Sequence, residues 1–262
     1  VAWRLSGFTC ASDLSVAALC QALPQRVMAE LIEPLCVSAL NTPTQDSSAQ
    51  VFLRVMRDAV FGASNGSNLL LPRISLSALF PDAAAAWLKQ QGARIHVGVR
   101  VRQLTNNERW QVDGEDFDQV LLATAATDTL HILANSLPLV SGDTRALLAR
   151  WSAITERLTH TAITTVYAWA HGARLAQPML ALRSNTAVST ASPAFPAQFV
   201  FDRGQLGGPD GLLAFVVSAS TGEREVLQAQ VLQQAREQLG LTLLPVKTVV
   251  EKRATLACTP GL

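Results

Sequence analysis

The sequence predicts an α+β protein in which helices pack on a largely antiparallel sheet. Three observations carry that reading. Apolar residues recur at helical spacing between residues 12 and 60 and again between 222 and 240. Between residues 160 and 218 the period drops to two, in successive strand-like runs joined mostly by turn-length links. Asp113-Gly114 stands between two further strand-like runs, a strong hairpin signal.

In chain order, SDLSVAALCQALPQRVMAELIEPLCVSAL (12–40) predicts two helices divided by Pro24. Asp13 is placed to cap the first. Met28, Leu31, Ile32 and Leu35 form a stripe on the second, and Pro34 falls inside it. The loop NTPTQDSS leads to a third helix, SAQVFLRVMRDAVF, with its spacing at Val51, Val55 and Ala59 beside Phe52 and Met56. GASNGSN reads as a helix stop in which Gly62 and Gly66 supply positive φ. SLSALFPDAAAAWLKQQG is helical as far as Gly92. ARIHVGVRVRQL then alternates at Ile95, Val97, Val99 and Val101 as a strand, and Val120 to Ala123 form a buried run. Helices fill residues 128 to 151 around the loop NSLPLVSGD. Strands follow in HTAITTVYAWA, PMLALRS, AQFVFDRG and GLLAFVVSAS. Ser220 and Glu223 make a capping box for a helix with its apolar face at Leu227, Val231, Ala235 and Leu239. VKTVVEKRATLAC is the last strand.

The 262 residues are 49% hydrophobic and 16% charged, against about 25% charged in an ordinary domain. Mean hydropathy is +0.23. No run approaches the roughly 18 apolar residues of a membrane span. The excess therefore implies a large core, an apolar ligand cavity, or a surface that meets membrane or partner. A net charge of +1 gives no electrostatic ground for a nucleic-acid partner. Cys10, Cys20, Cys36 and Cys258 lack ligand spacing and read as inert core thiols in a reducing, cytoplasmic setting. His96, His131, His160 and His171 are scattered, so no metal site is expected. The chain opens without methionine or a signal-like segment and stops after a strand-like run, which predicts an internal piece of a longer protein.

Gly62-Ala63-Ser64-Asn65-Gly66 matches G-x-S-x-G, but a helix precedes it where a nucleophile elbow needs a strand. RGQLGGPDG leads into a strand and reads as a hairpin loop, not a phosphate cradle. From the residues alone, two classes stay open: a lipid-binding module, and part of an enzyme whose chemistry belongs to a cofactor.

LIEPLCVSALNTP, LSALFPDAAAAWLKQQGARIHVGVRVRQL, FDQVLLATAA and EKRATLACTP, in order from about Leu31 to Pro260, resemble the squalene-associated FAD-dependent desaturases. These are also called hydroxysqualene dehydroxylases, a branch of the phytoene-desaturase and flavin amine-oxidase superfamily. LNTP (40–43) and EKRAT (251–255) are the most branch-specific pieces. The family's G-x-G-x-x-G turn and its later G-D segment do not occur here.

The resemblance implies an α/β flavoprotein with a partial Rossmann-like FAD/NAD(P)-binding domain over 67–127, to which 256–262 return. Residues 1–66 and 128–255 would form the substrate domain. The implied cofactor is FAD. The backbone of Val101 would meet adenine, Ala123, Thr124 and Ala125 would form a strand end beside the cofactor, and Arg73 would approach the flavin. Ala125 stands where relatives carry proline.

The implied substrate is an apolar isoprenoid, hydroxysqualene, reduced to squalene on the way to hopanoids. Val166, Trp169, Phe199, Phe201 and Phe215 are the candidates for its tunnel, where aromatic faces within about 6 Å would steady an allylic cation. Lys252 and Arg253 are the candidate catalytic groups, sent to opposite faces by strand alternation, against a simple ion pair with Glu251 or a solvated edge. Asp46, Lys252, Arg253 and water all stand as donors to the departing hydroxyl. A carotenoid desaturase and a non-catalytic lipid-binding protein are the alternatives. The helices near Leu31 either touch a bilayer peripherally or pack as ordinary core.

Overall fold

The computed structural model describes residues 2–185 and 194–261. After α1 (Ala2–Leu5), helix α2 (Val16–Leu19) takes its cap from Ser15, whose hydroxyl accepts from Ala18 N at 3.2 Å, rather than from Asp13. α3 (Gln25–Val27) begins directly after Pro24, and a π turn (Met28–Ile32) carries it into α4 (Glu33–Leu40). Pro34 accounts for the π turn. It has no N–H to give, and its ring would collide with the carbonyl four residues earlier in a regular helix. The buried stripe is Ile32, Cys36 and Leu40, while Leu31 is 56% exposed.

α5 (Ala49–Val55) is capped by Ser48 and widens into a second π turn (Met56–Val60). It buries Phe52, Leu53 and Met56, whereas the expected positions Val51, Val55 and Ala59 face a shallow surface groove. The helix stop forms, but positive φ falls on Asn65 and not on the glycines. They serve close approach instead: a Cβ would lie 2.7 Å from the Asp58 carbonyl oxygen at Gly62 and 2.9 Å from that of Ala59 at Gly66. Ser64 lies in an exposed turn after a helix, so there is no nucleophile elbow.

The expected single helix to Gly92 is two, α6 (Leu76–Leu79) and α7 (Pro81–Gln90). Phe80 breaks it, because a residue before proline is driven out of the α region. Residues 93–103 form neither helix nor strand, with Gly98 at φ 73, and Val97 is 85% exposed. The expected buried run at 120–123 fares likewise, with Leu121 91% exposed. A strand exists only with a hydrogen-bonded neighbour, and among the described residues neither run has one.

β1 (Leu104–Asn106), β2 (Trp110–Val112) and β3 (Glu115–Phe117) form a meander. Asp113 (φ 51) and Gly114 (φ 92) make the tight turn that the pair predicts. α8 (Ala126–Ser136), a 3-10 turn (Leu137–Leu139) and α9 (Gly142–Thr155) close this part around Leu133, Val140 and Leu148, with Leu122 against them.

β4 (His160–Trp169), β5 (Met179–Ala181), β6 (Phe199–Asp202), β7 (Leu212–Ser218) and β8 (Leu244–Leu256) form an antiparallel sheet in the order β5-β6-β7-β4-β8. RGQLGGPDG joins β6 to β7 as a hairpin loop. α10 (Arg224–Leu239) packs its expected residues Leu227, Val231 and Ala235 on the sheet. The capping box does not form: Glu223 is the cap residue without a side-chain bond, and the Ser220 hydroxyl accepts instead from Thr164 Oγ1 at 2.9 Å.

Contacts divide the chain into two compact units, Val1–Pro81 with His160–Leu262, and Asp82–Thr159. Residues 128–159 thus share a unit with 82–127, and residues 67–81 share one with the sheet. No helix among the described residues is long and apolar enough to cross a membrane.

Candidate functional site

Strand register sorts the five tunnel candidates onto two faces of the sheet. Val166, Phe215 and Val200 pair directly across β4, β7 and β6, so their side chains share one face. That face meets α10, and Val166 and Phe215 are fully buried in the core with Val231 and Ala235. They are core residues, not lining, because even and odd positions of one strand cannot share a cavity wall. Trp169, Phe199 and Phe201 occupy the opposite face, where they are half-buried.

On that second face, one row runs Met179, Phe201, Ala214, Tyr167, Lys247, and the next runs Ala181, Phe199, Val216, Thr165, Val249. Trp169 begins a third row opposite Leu212, with its ring stacked on His171 at 6.0 Å. The arrangement is a wall mainly of aromatic and branched side chains; its polar groups are the Tyr167 phenol, the Thr165 hydroxyl, His171 stacked on Trp169, and Lys247 at its edge. The apolar part of such a wall offers a long apolar molecule burial at about 25 cal/mol per Å².

A separate cleft of about 760 Å³ lies wholly within the Asp82–Thr159 unit. One side is the run from Gly98 to Arg102, the other is Thr124 with Asp128, His131, Ile132 and Asn135. The spacing of the four α8 residues puts them on one helix face. The end of the run is fixed by Asp113, which accepts from the backbone N–H of Arg102 and Gln103 at 3.0 to 3.2 Å, and by Asn135, which donates to Arg102 O at 3.0 Å. Val101 and Thr124 line this one cleft from its two sides. Thr124 Oγ1 is 2.7 Å from Thr129 Oγ1, and Ala125 sits at the N-terminal cap of α8. Ala123 and Ala125 are exposed and do not line the cleft. Arg100 and Arg102 supply its cationic groups.

Arg73 belongs to the other unit. Its carbonyl oxygen lies where a Cβ of Gly207 would stand, 2.4 Å away, so its backbone rests on the β6–β7 loop. Lys252 and Arg253 are exposed on β8 at a bulge: Ile163 pairs with Glu251 and Thr161 with Thr255, leaving three β8 residues opposite Ala162. Strict alternation does not hold there, so the opposite-faces argument lapses. Arg253 N donates to Glu251 Oε1 at 3.1 Å. Asp46 is exposed in the turn after Pro43.

LNTP and EKRAT meet in a hydrogen-bonded joint, which no local pattern foretold. Asn41, in the left-handed conformation at φ 47, is only 4% exposed. Its Nδ2 donates to Thr255 Oγ1 at 2.9 Å and reaches the Thr161 and Ala162 carbonyls at 3.4 and 3.5 Å, while Oδ1 accepts from Ala219 N. Thr42 Oγ1 accepts from Cys258 N at 3.1 Å, and Ser48 N donates to Cys258 O at 2.7 Å. The four cysteines, far apart in sequence, converge on this helical core. Burial, chiefly, pushes the Cys36 thiol up to about 11, which fits an inert packing role. Among the described residues no group of three or more His, Cys, Asp or Glu is placed to hold a metal ion.

The α+β architecture of helices on antiparallel sheet is similar to that of three solved structures. The chain is similar in structure to a reduced UDP-galactopyranose mutase (11% identity, 97% of this chain and 58% of that one, TM-score 0.61). An oxidoreductase from Methanosarcina mazei is similar at 12% identity, over 96% of this chain and 59% of that one, TM-score 0.66. A putrescine oxidase redesigned in its cofactor binding follows at 16% identity, 91% and 53%, TM-score 0.58. The chain thus spans 53 to 59% of the length of these three. No family model matches the chain, and no curated protein matches it in sequence.

Proposed function

We infer that this chain is part of an FAD-dependent oxidoreductase of the flavin amine-oxidase superfamily acting on a long apolar isoprenoid. The finer reading is reductive removal of the hydroxyl of hydroxysqualene to give squalene. The observation that carries it is the aromatic sheet face, together with a fold shared with oxidoreductases and the family-like segments of the sequence. Bound reduced FAD would supply the hydride.

The residues of the cleft fit the adenosine end of such a cofactor. The backbone at Val101 carries N–H and C=O groups outside any strand pairing, which suit the hydrogen-bonding edge of a base. Arg100 and Arg102 suit phosphate oxygens. The sequence has no G-x-G-x-x-G turn, so these arginines are the phosphate-directed groups this chain brings. On the sheet, Trp169, Tyr167, Phe199 and Phe201 would hold and straighten the isoprenoid and exclude water. Their ring faces would favour positive charge developing at an allylic carbon.

Titration of the full chain with FAD, read by flavin fluorescence, tests the cofactor half. Saturable binding weakened in Arg100→Ala and Arg102→Ala supports it. Incubation with hydroxysqualene, FAD and a reductant, with squalene as the product sought, tests the reaction. Isoprenoid binding without any FAD binding would replace this reading with a non-catalytic lipid-binding one.

A further inference from the structure

A second, smaller cavity of about 220 Å³ opens at the end of the sheet, within the Val1–Pro81/His160–Leu262 unit. Its wall combines Val37 and Ala219 with the hydroxyls of Ser184, Ser218 and Thr221. Among the described residues no hydrogen bond uses any of these three hydroxyls. The one charged residue of the lining, Glu33, is exposed at the rim.

Backbone irregularities crowd this cavity. Ala219 holds a positive φ of 47, an uncommon conformation for alanine. Beside it stand Asn41, also at φ 47, and the β8 bulge opposite Ala162. The π turn Met28–Ile32 contributes Ala29 to the lining. Such departures from regular geometry concentrate where a ligand is held.

The cavity also continues the aromatic wall. Ser218 projects from β7 on the same side as Val216 and Ala214, two and four residues earlier. Val216 pairs with Phe199, and Ala214 with Phe201. An apolar surface therefore ends in a polar recess whose donors and acceptors are uncharged apart from Glu33 at the rim.

The geometry points to a recess that receives the head of an amphiphile: a long apolar molecule bearing one neutral hydrogen-bonding group, such as an alcohol. The apolar body lies along Phe201 and Phe199, and the head exchanges hydrogen bonds with Ser218, Thr221 and Ser184. Glu33 at the rim disfavours an anionic head. This inference rests on the reading that the aromatic face is the substrate wall, and it adds where the substrate's hydroxyl goes.

Isothermal titration of the full chain with farnesol and with the hydrocarbon farnesene tests it. Farnesol is expected to bind about tenfold more tightly, the worth of one net hydrogen bond of about 1.4 kcal/mol. The double variant Ser218→Ala, Thr221→Val should bring farnesol down to farnesene while leaving farnesene unchanged. Phe201→Ala should weaken both alike. Thermal melts confirm that each variant folds, and Thr221→Val alone, at an exposed position, provides a second variant of low folding risk. Binding of farnesene with no preference for farnesol, or a preference that survives the double variant, overturns this inference alone. Failure of both ligands to bind overturns the substrate wall itself, and the recess with it.

Discussion

Replacing Asn41 should loosen the sheet from the helices, and two different replacements separate the reasons. Asn41→Ala removes the acceptor of the Ala219 N–H, a group with no strand partner because it lies one residue past β7. An orphaned, partly buried N–H costs about 1–3 kcal/mol. Thr255 Oγ1 loses a donor but keeps the Thr161 hydroxyl at 3.1 Å, so it adds little. The contacts at 3.4 and 3.5 Å are too long to count for much. Alanine at φ 47 brings a further conformational cost of about 1 kcal/mol that asparagine largely avoids. The sum is about 2–4 kcal/mol. Asn41→Gly loses the same bonds without the steric part, so it should cost about 1 kcal/mol less. Urea denaturation followed by hydrogen exchange in β4, β7 and β8 measures both, with the midpoint falling and the slope unchanged. If Asn41→Ala shifts the midpoint no more than a surface substitution does, the joint does not hold these elements together. If glycine is as costly as alanine, the backbone part of the reasoning fails.

Phe215→Ala should destabilise the chain by about 3–5 kcal/mol, and Phe201→Ala by far less, since only Phe215 is fully buried under α10; equal costs in denaturation would contradict the two-face assignment. Gly207→Ala would place a Cβ 2.4 Å from the Arg73 carbonyl oxygen at a φ of 82, so limited proteolysis should cut faster between residues 67 and 75. Burial alone would raise the Asp202 carboxyl, but hydrogen bonds from Gln205, Leu175 and Gly204 outweigh it and hold the group below its ordinary 3.8. A folded pKa below the unfolded one means stability present above about pH 4 and lost as the pH falls through the folded value. Asp202→Asn should therefore flatten the acid limb of a stability-against-pH curve, and an unchanged limb would show that Asp202 is not its source.

What the sequence made legible was what short-range periodicity encodes. Two-residue alternation marked the sheet strands, and Asp113-Gly114 marked its turn because few other pairs tolerate two successive positive φ values. The same alternation also held the answer to the tunnel question: Val166 and Trp169 differ by an odd number, so they had to face apart. The hidden features depend on distant partners. Thr255 lies 214 residues from Asn41, and no window contains both. Gln234 on α10 is fully buried because it accepts from Ala197 N at 2.9 Å and donates to Ala197 O and Arg183 O at 2.8 and 3.1 Å. A glutamine in an apolar stripe reads only as a polar interruption until those strand ends arrive.

The two runs without strand partners, 93–103 and 120–123, mark the limit of pattern reading from the other direction. Their alternation at Val97, Val99 and Val101 is as regular as that of β4, yet β4 is a strand and they are not. Side-chain pattern states which face a strand would bury, and backbone pairing decides whether there is a strand. β4 has β7 and β8 on its two sides. Without such neighbours, Val97 and Leu121 stay exposed at 85% and 91%. Among the described residues no hydrogen bond uses the backbone N–H or C=O of Val99, Arg100 or Val101, which remain available to a ligand. That availability is what the cofactor reading uses at Val101, and it is why binding at the cleft, rather than any stability measurement, bears on it most directly. If FAD occupies the cleft, amide exchange between residues 98 and 102 should slow on its addition; unchanged exchange with FAD bound would place the cofactor elsewhere.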